Sequence, residues 1–367
     1  MDFILQHLRS TPEYQTLLKQ VKDDTRLPGL GLPRAARLPV LTALHGDLNR
    51  PILLLTDRAD HALALHDELA FWVPSAPRHL FSEPNPLFYE DAAWGSATRR
   101  ERLQTLTALS LYHLPFAEKP AAPPLIVASA RAIMTRTLPR RDFLKASKRL
   151  SVGQMVSPDA LLRHWMTIGY QSAETVFEAG QFSRRGGILD VWPPSASAPI
   201  RLDFFGDEID TIRSFDPASQ RTLAKMQSVL VTPAREFIAQ KLDNRKPDHS
   251  TGRDAENQAS DSSGDDPLLS THYSPISEPT EFHIPLLHPS VSSLLDYLPQ
   301  HTLILVDDLS LIESMVGEVE EQAVKFRQES IEEGVLASNF PVPYLTWAEL
   351  TDSLYAHPWL ELGLGSG

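Results

Sequence analysis

Three short runs of aliphatic residues constrain the fold of this chain more than any other feature. They occupy residues 52–56, 125–129 and 302–306. Continuous apolar runs of four or five residues are typical of strands that are buried on both faces of a parallel sheet. Helical patterns at about 58–72 and 97–112 separate the first two runs. The alternation predicts an α/β layer with a parallel sheet.

A different pattern interrupts this layer near residue 145. Ser157-Pro158-Asp159 predicts the start of a helix that ends near residue 168, because serine caps helices and proline favours their first position. Short strands follow at 187–192, 200–205 and 208–215, and the last two indicate a hairpin across Gly206-Asp207. The predicted organisation is an N-terminal helix at 1–26, a first α/β part at 27–144, a small α+β domain at 145–232 and a second α/β part at 233–367.

The charge of the chain is unevenly distributed. Its 34 Lys+Arg and 47 Asp+Glu give a net charge of −13, yet residues 1–240 hold 28 basic and 25 acidic residues. Residues 241–282 hold 4 basic and 9 acidic residues and few aliphatic ones, which predicts a disordered insertion. Residues 307–333 hold 2 and 9, on what we interpret as the solvated face of an amphipathic helix. The acidity therefore does not exclude a nucleic-acid partner for the first 240 residues.

Several classes of protein are disfavoured by composition. The chain has no cysteine, which excludes a disulfide framework, a thiol nucleophile and a thiolate-bound metal. No apolar run approaches the roughly 20 residues that span a membrane, and the N-terminus lacks the features of a signal peptide. We expect a cytoplasmic protein with no membrane partner.

One loop shows a weak similarity to phosphate-binding loops. Laid on the pattern G-x-x-x-x-G-K-[ST], the segment Gly31-Leu-Pro-Arg-Ala-Ala-Arg-Leu38 keeps Gly31 but has Ala36, Arg37 and Leu38 at the positions of glycine, lysine and hydroxyl. Pro33 removes a backbone N–H from the cradle such loops offer to phosphate. We interpret residues 27–39 mainly as a surface loop, and a nucleotide site there as degenerate.

Acidic residues offer two further candidate sites. The strand that ends in Asp307-Asp308 resembles a Walker B strand, although an acid in that position is also a good helix N-cap, which is the favoured role. A second group could suggest a metal-dependent nuclease, but its members alternate with apolar residues as in a half-buried hairpin. They are Asp203, Asp207, Glu208 and Asp210. We predict no metal site and no catalytic residue.

Basic residues form two clusters and one conspicuous turn. Either cluster could contact phosphates, although solvated faces and interdomain salt bridges are more common. The clusters are Arg99, Arg100 and Arg102, and then Arg136, Arg140, Arg141, Lys145, Lys148 and Arg149. In the turn, Arg184-Arg185 precedes Gly186-Gly187, and its guanidinium groups could bind the carboxylates of a protein partner or simply be solvated.

Three ordered strings around this turn carry a family resemblance. They are Gly180-Gln-Phe-Ser-Arg-Arg-Gly-Gly-Ile-Leu-Asp-Val-Trp-Pro193, Arg201-Leu-Asp-Phe-Phe-Gly-Asp-Glu-Ile-Asp210 and Ile212-Arg-Ser-Phe-Asp-Pro217. They resemble the UvrA-binding domain shared by UvrB and the bacterial transcription-repair coupling factor, Mfd. Residues 219–222 and 233–237, together with the degenerate nucleotide motifs, are more similar to the coupling factor than to UvrB.

The resemblance implies a degenerate RecA-like, helicase-like α/β domain into which a small α+β UvrA-binding domain is inserted. It implies a non-catalytic module, without a cofactor of its own, that recruits UvrA to damaged DNA at stalled RNA polymerase. The family's motor, which uses ATP and magnesium on double-stranded DNA, would lie beyond residue 367, so the chain is expected to be a fragment or a stand-alone remnant. Alternatives are an ATP-dependent translocase of the UvrB type, and a structural or autoinhibitory module.

The same resemblance implies a set of docking residues. Arg185 matches the family's UvrA-docking arginine, with Arg184 beside it. Phe182 is expected to pack against UvrA as an apolar anchor, and Asp190 falls in the same stretch.

Overall fold

The structure, a computed structural model, describes residues 2–23, 29–116, 120–238 and 279–363. Two 3₁₀ helices occupy Glu281–His283 and Leu294–Tyr297. The α-helices are α1 (Asp2–Ser10), α2 (Pro12–Lys22), α3 (Arg34–Leu48), α4 (Ala59–Trp72), α5 (Ser96–Ser110), α6 (Ala130–Met134), α7 (Arg140–Ala146), α8 (Pro158–Thr167), α9 (Ile284–Leu287), α10 (Leu309–Glu332) and α11 (Trp347–Tyr355). The strands are β1 (Ile52–Thr56), β2 (Arg78–Phe81), β3 (Leu125–Ser129), β4 (Lys148–Ser151), β5 (Gln171–Ser172), β6 (Gln181–Arg185), β7 (Ile188–Val191), β8 (Ile200–Phe205), β9 (Glu208–Phe215), β10 (Thr222–Met226), β11 (Ser228–Val231), β12 (Leu303–Val306) and β13 (Trp359–Glu361).

A five-stranded parallel sheet forms the α/β part, in the order β13-β12-β1-β3-β2. Along β1, Leu53 and Leu55 pack into the hydrophobic core on one face, and Ile52 and Leu54 pack into the core on the other. Burial on both faces explains why this strand is continuously apolar. The predicted α/β layer is confirmed.

The inserted part is built on a six-stranded sheet in the order β10-β9-β8-β7-β6-β5, antiparallel except for the pair β5 and β6. The predicted hairpin turns at Gly206-Asp207 as expected, and Trp165 of α8 packs into the core beneath the sheet. Strands β4 and β11, the first and last of this domain, pair antiparallel with each other. The chain therefore enters and leaves the inserted domain through two neighbouring strands.

The interpretation of residues 27–39 as mainly loop is wrong for its second half. Helix α3 begins at Arg34 and contains Pro39 in its interior. Proline there removes one hydrogen bond from the helix, but Leu38, Leu41 and Leu44 are all buried in the core. Burial of this apolar face offsets the free-energy cost of the hydrogen bond that Pro39 removes. A prediction based only on helix-breaking residues leaves out this contribution.

The single N-terminal helix predicted at 1–26 is two helices within the described residues. Thr11 accepts a hydrogen bond from the Tyr14 N–H as the N-cap of α2, and Pro12 occupies the first position of that helix. Proline has no N–H to continue α1, so the chain breaks there and starts again.

The predicted disordered insertion at 241–282 falls mostly on residues 239–278, which lie outside the described residues. Its last residues are described, and the prediction is wrong for them. Glu281 is buried and receives hydrogen bonds of 3.0 and 3.1 Å from the Arg235 guanidinium. This pairing fixes the chain where it re-enters the fold, because a buried carboxylate requires such a partner.

A fully buried ion pair connects the two domains. Arg102 of α5 donates to both carboxylate oxygens of Glu236, at 2.7 and 3.0 Å, just after the chain leaves the inserted domain. Its guanidinium also lies over the rings of Phe81 and Trp94, at 4.0 and 4.7 Å from their centroids. Arg102 is therefore a structural residue, and the other two members of its cluster, Arg99 and Arg100, are half-buried.

Candidate functional site

Two hairpin turns and one loop meet at one end of the inserted domain. Arg185 pairs with Ile188 across the first turn, and the Phe204 N–H donates to the Gly187 carbonyl at 2.8 Å, which brings the β8–β9 turn alongside. Gly186 and Gly206 adopt φ values of +60° and +63°, a conformation that glycine accepts without strain. The loop 152–156 joins them through a bridge from Met155 to Glu208. We call residues 152–156, 184–187 and 205–208 the hairpin end.

The predicted arginines both lie at the hairpin end, and their side chains are 43 % (Arg184) and 50 % (Arg185) exposed. Arg185 donates from Nη2 to Asp190 Oδ2 at 2.9 Å, and Arg184 forms an ion pair with Asp159. A guanidinium has five N–H donors, so each side chain retains donors that face solvent. Both can therefore accept an additional carboxylate.

Asp190 lies behind the arginines rather than beside them. It is 1 % exposed and accepts hydrogen bonds of 2.7 and 2.8 Å from Nε and Nη2 of Arg201. These hydrogen bonds raise the pKa of Arg201, whose guanidinium lies 4.3 Å from the centroid of the Phe215 ring. Asp190 thus has no access to a partner, but it orients Arg185 from below.

The expectation that Phe182 acts as an exposed anchor is wrong. Its side chain is 4 % exposed, and its ring centroid lies 5.9 Å from that of Trp165 in the domain core. Phe182 and Arg185 are three residues apart on strand β6, so their side chains point to opposite faces of the sheet.

A different phenylalanine, Phe205, is exposed in this part of the domain. It is 83 % exposed at the start of the β8–β9 turn, and Met155, which bridges to Glu208, is also exposed. The exposure of Phe205 could have been predicted from the sequence, but our predictions did not include it. Ile200 and Leu202 are the inward positions of β8, so an aromatic residue in register with Arg201 and Asp203 falls on the outward face.

The segment Gly31–Leu38, compared above with phosphate-binding loops, and Leu30 before it make backbone contacts with another part of the chain. The N–H groups of Leu30, Gly31 and Leu32 donate to the carbonyls of residues 361–363, at 2.8–2.9 Å. Gly31 and Leu32 occupy the first two positions of the phosphate-loop pattern, and Leu30 precedes it. Ala36 lies in the first turn of α3, and Leu38 is buried in the core.

Asp307 and Asp308 have different partners at the end of β12. Arg37 donates from Nη1 to Asp307 Oδ1 at 2.7 Å and to the Asp307 carbonyl at 3.0 Å. Asp308 is the N-cap of α10 and accepts from the Leu311 N–H at 3.2 Å. In a Walker B strand the first carboxylate binds a metal ion. Here the Asp307 carboxylate is paired with the Arg37 guanidinium instead.

The acidic residues of the β8–β9 hairpin do not converge. Asp203 accepts from Arg213 at 3.2 Å and from the Thr211 hydroxyl, whereas Asp207 and Glu208 lie at the turn. Across the described ranges, no group of three or more His, Asp or Glu side chains is placed to hold a metal ion.

The amino-acid sequence of this chain is similar to sequences of known proteins. Residues 149–237 match the family model described as the UvrB interaction domain. The transcription-repair-coupling factor of Myxococcus xanthus is 35 % identical over 231 residues, which cover 61 % of this chain and 19 % of that protein. That of Bacillus subtilis is 27 % identical over 359 residues, 91 % of this chain and 29 % of that protein. That of Escherichia coli is 30 % identical over 191 residues, 52 % and 16 % respectively.

The chain thus spans less than a third of the length of the curated relatives it matches. The segment that matches the UvrB interaction domain lies inside the α/β module, and the chain is similar to the N-terminal region of transcription-repair-coupling factors. In the part of the chain that the structure describes, no helix has the length and hydropathy to cross a membrane.

Proposed function

We propose that this chain is a recruitment module whose inserted domain docks UvrA through the hairpin end. As part of a coupling factor, it brings UvrA to RNA polymerase stalled on damaged duplex DNA. The family model supports the proposal, since it covers the whole hairpin end, and so do relatives that are named for coupling transcription to repair. The observation that carries it is the exposure of Arg184, Arg185 and Phe205 at the hairpin end.

These residue types are suited to a protein interface. Arginine and large aromatic residues dominate the binding energy of protein interfaces, typically as a few central side chains. An apolar side chain as exposed as Phe205 gains most when a partner removes it from water. The Arg185 guanidinium can form paired hydrogen bonds with a carboxylate of the partner. We infer that UvrA offers an apolar pocket flanked by acidic residues.

The α/β module supports a non-catalytic role for this chain. A translocase of the UvrB type requires ATP and Mg²⁺ at the segment Gly31–Leu38, where Arg37 already pairs with Asp307. Nucleotide binding would have to break this ion pair and release three backbone N–H groups from residues 361–363. The geometry therefore favours recruitment over ATP-driven movement.

Titration of the purified chain against UvrA tests the proposal. We expect Arg185→Ala and Phe205→Ala each to weaken binding by about 2 kcal/mol or more, or roughly 30-fold. Phe177→Ala is the matched control, because Phe177 is also an exposed phenylalanine but lies beside Gln181, at the other end of β6. Binding by both hairpin-end variants at the strength of the unmodified chain would refute the proposal.

Thermal unfolding with and without Mg-ATP separates the two functions. A ligand that binds only the folded state raises the midpoint of unfolding. We expect no shift with Mg-ATP. A raised midpoint accompanied by ATP hydrolysis would favour the translocase instead.

A further inference from the structure

A second charged surface lies where the chain passes from the α/β module into the inserted domain. Residues 140–149 contain five basic residues and one acidic residue. They form α7 and the start of β4. We call Arg140, Arg141, Lys145, Lys148 and Arg149 the basic surface. Arg136, predicted in the same cluster, is half-buried before the start of α7 and does not belong to it.

Packing of α7 determines which side chains face solvent. Phe143 is fully buried, with its ring centroid 5.6 Å from that of Tyr297, and Ala146 is buried as well. Arg141 and Lys145 are exposed and stand one helical turn apart. The chain then presents Lys148 at the start of β4, so the cations form a continuous row.

The part of the chain that the structure describes offers this row no acidic partner. Within the described residues, the side chains of Arg140, Arg141, Lys145 and Lys148 form no hydrogen bond or ion pair. Arg149 donates only to the uncharged oxygens of Ser228 and Phe116, at 3.1 and 2.9 Å. The acid of the segment, Asp142, pairs with His288 at 3.4 Å. The positive charge is therefore not neutralised within the row.

This positive charge contributes to lowering the pKa values of two neighbouring histidines. Burial lowers the pKa of His113, and the charge of Arg140 lowers it further. Burial likewise lowers the pKa of His164, followed by the charge of Lys148. Both imidazoles also hydrogen-bond to backbone carbonyls, which opposes the shift. The basic surface thus creates a positive field on two neighbouring elements.

We propose that the basic surface binds the phosphate backbone of duplex DNA without reading its sequence. Arginine and lysine contacts to phosphate supply the affinity of non-specific binding. Arg141 and Lys145 are separated by roughly 6 Å along the helix, and each DNA strand offers a phosphate about every 3.4 Å of axis. The row therefore spans two or three phosphates of one strand.

The other polyanions fit this surface less well. Binding of single strands relies on exposed aromatic rings that stack on successive bases. Phe143, the one aromatic residue of the segment, is fully buried, and Phe116, whose carbonyl accepts from Arg149, offers one ring that is 41 % exposed rather than a row of rings. Peripheral membrane binding requires an apolar helix face that inserts among lipids. On α7 the apolar residues Phe143 and Ala146 face the protein core.

The basic surface is separate from the hairpin end. Strand β4 runs from Lys148 to Ser151 before the chain reaches Met155. The inference therefore goes beyond the docking of UvrA and does not depend on it, since a variant can lose one contact and keep the other.

Fluorescence anisotropy with a fluorescein-labelled 30-base-pair duplex tests the inference on the whole chain. The test variant carries Arg141→Glu, Lys145→Glu and Lys148→Glu. We expect it to bind at least about tenfold more weakly at 50 mM NaCl. The slope of log affinity against log salt should fall by about 2.7, from about 0.9 per lost phosphate contact. Circular dichroism checks that the variant folds.

A control variant separates a local surface from net charge. Lys19→Glu, Lys225→Glu and Lys325→Glu make the same charge change at exposed lysines elsewhere. We expect it to bind within about threefold of the unmodified chain. An equal loss in the control, no loss in the test variant, or binding to anionic phospholipid vesicles without binding to duplex DNA would each overturn the inference.

Discussion

The ion pair between Arg102 and Glu236 offers a quantitative test of how the inserted domain is fixed to the α/β module. The two side chains are 0 % and 1 % exposed. The substitution Arg102→Met keeps much of the length of the side chain but removes its charge. It removes two hydrogen bonds to Glu236 and a third, of 3.2 Å, to the Ser82 carbonyl. A carboxylate then remains in the interior without a partner.

The expected cost follows from that unpaired charge. Removal of one partner from a buried ion pair typically lowers the free energy of unfolding by about 3–5 kcal/mol. Glu236→Gln should cost a similar amount, because it leaves the guanidinium without its carboxylate. The double substitution leaves neither charge, so its cost should be smaller than the sum of the single costs by about 2–3 kcal/mol.

Urea unfolding followed by circular dichroism measures these differences. Arg58→Met is the matched control, since it breaks the pair between Arg58 and Asp60, whose side chains are 56 % and 62 % exposed. An exposed pair of this kind contributes little to the free energy of unfolding, because water and salt screen the two charges. The reasoning is refuted if Arg102→Met costs no more than Arg58→Met, or if the two single costs add in the double variant.

Two further predictions concern buried side chains. Phe182→Ala should lower the free energy of unfolding by about 3–5 kcal/mol because it leaves a cavity in the domain core; selective loss of UvrA binding with unchanged urea unfolding would contradict this. Burial, and secondarily the charge of His66, lowers the pKa of His79 to about 4, below the unfolded value of about 6.5. The stability that neutral His79 contributes is therefore present above pH 6.5 and declines as the pH falls toward 4. Between pH 7 and pH 5, the free energy of unfolding should fall by about 2 kcal/mol less in the variant His79→Leu than in the unmodified chain. Urea unfolding at both pH values measures this difference, and an equal fall in the two proteins would contradict the assignment.

Local patterns in the sequence predicted several elements well. The hairpin across Gly206-Asp207 formed as expected, because apolar alternation and turn residues act over short distances. The helix predicted from Ser157-Pro158-Asp159 is also present, with Pro158 at its first position. The apolar face of α10, with Ile312 and Val316, is buried as its spacing indicated.

Elements that depend on tertiary contacts were not predictable in the same way. Helix α3 persists through Pro39 because its face is buried against the sheet. Strand β13 is three residues long and exists through pairing with β12. The burial of α3 and the pairing of β13 both depend on residues distant in the sequence. A short sequence window therefore contains no periodic pattern that predicts them.

The candidate site shows the same division. Arg185 could be identified from the string around the two glycines, and the structure places it on an exposed turn. Phe182 and Phe205 could not be distinguished by residue type, since both are phenylalanines within the resembling strings. Only the register of β6 and β8 decides which ring enters the core. Exposure is a property of the assembled sheet rather than of the motif.

The contact between Asp190 and Arg185 has a consequence for the entropy of association. A free arginine side chain loses rotamer freedom when a partner immobilises it, at a cost of about 0.5–1.5 kcal/mol. Asp190 is buried and fixed by Arg201, and it already holds one nitrogen of Arg185 at 2.9 Å. Part of the rotamer entropy of Arg185 is therefore already lost when the inserted domain folds. Less entropy is lost on binding, so the contacts of the remaining guanidinium donors contribute more to the free energy of binding.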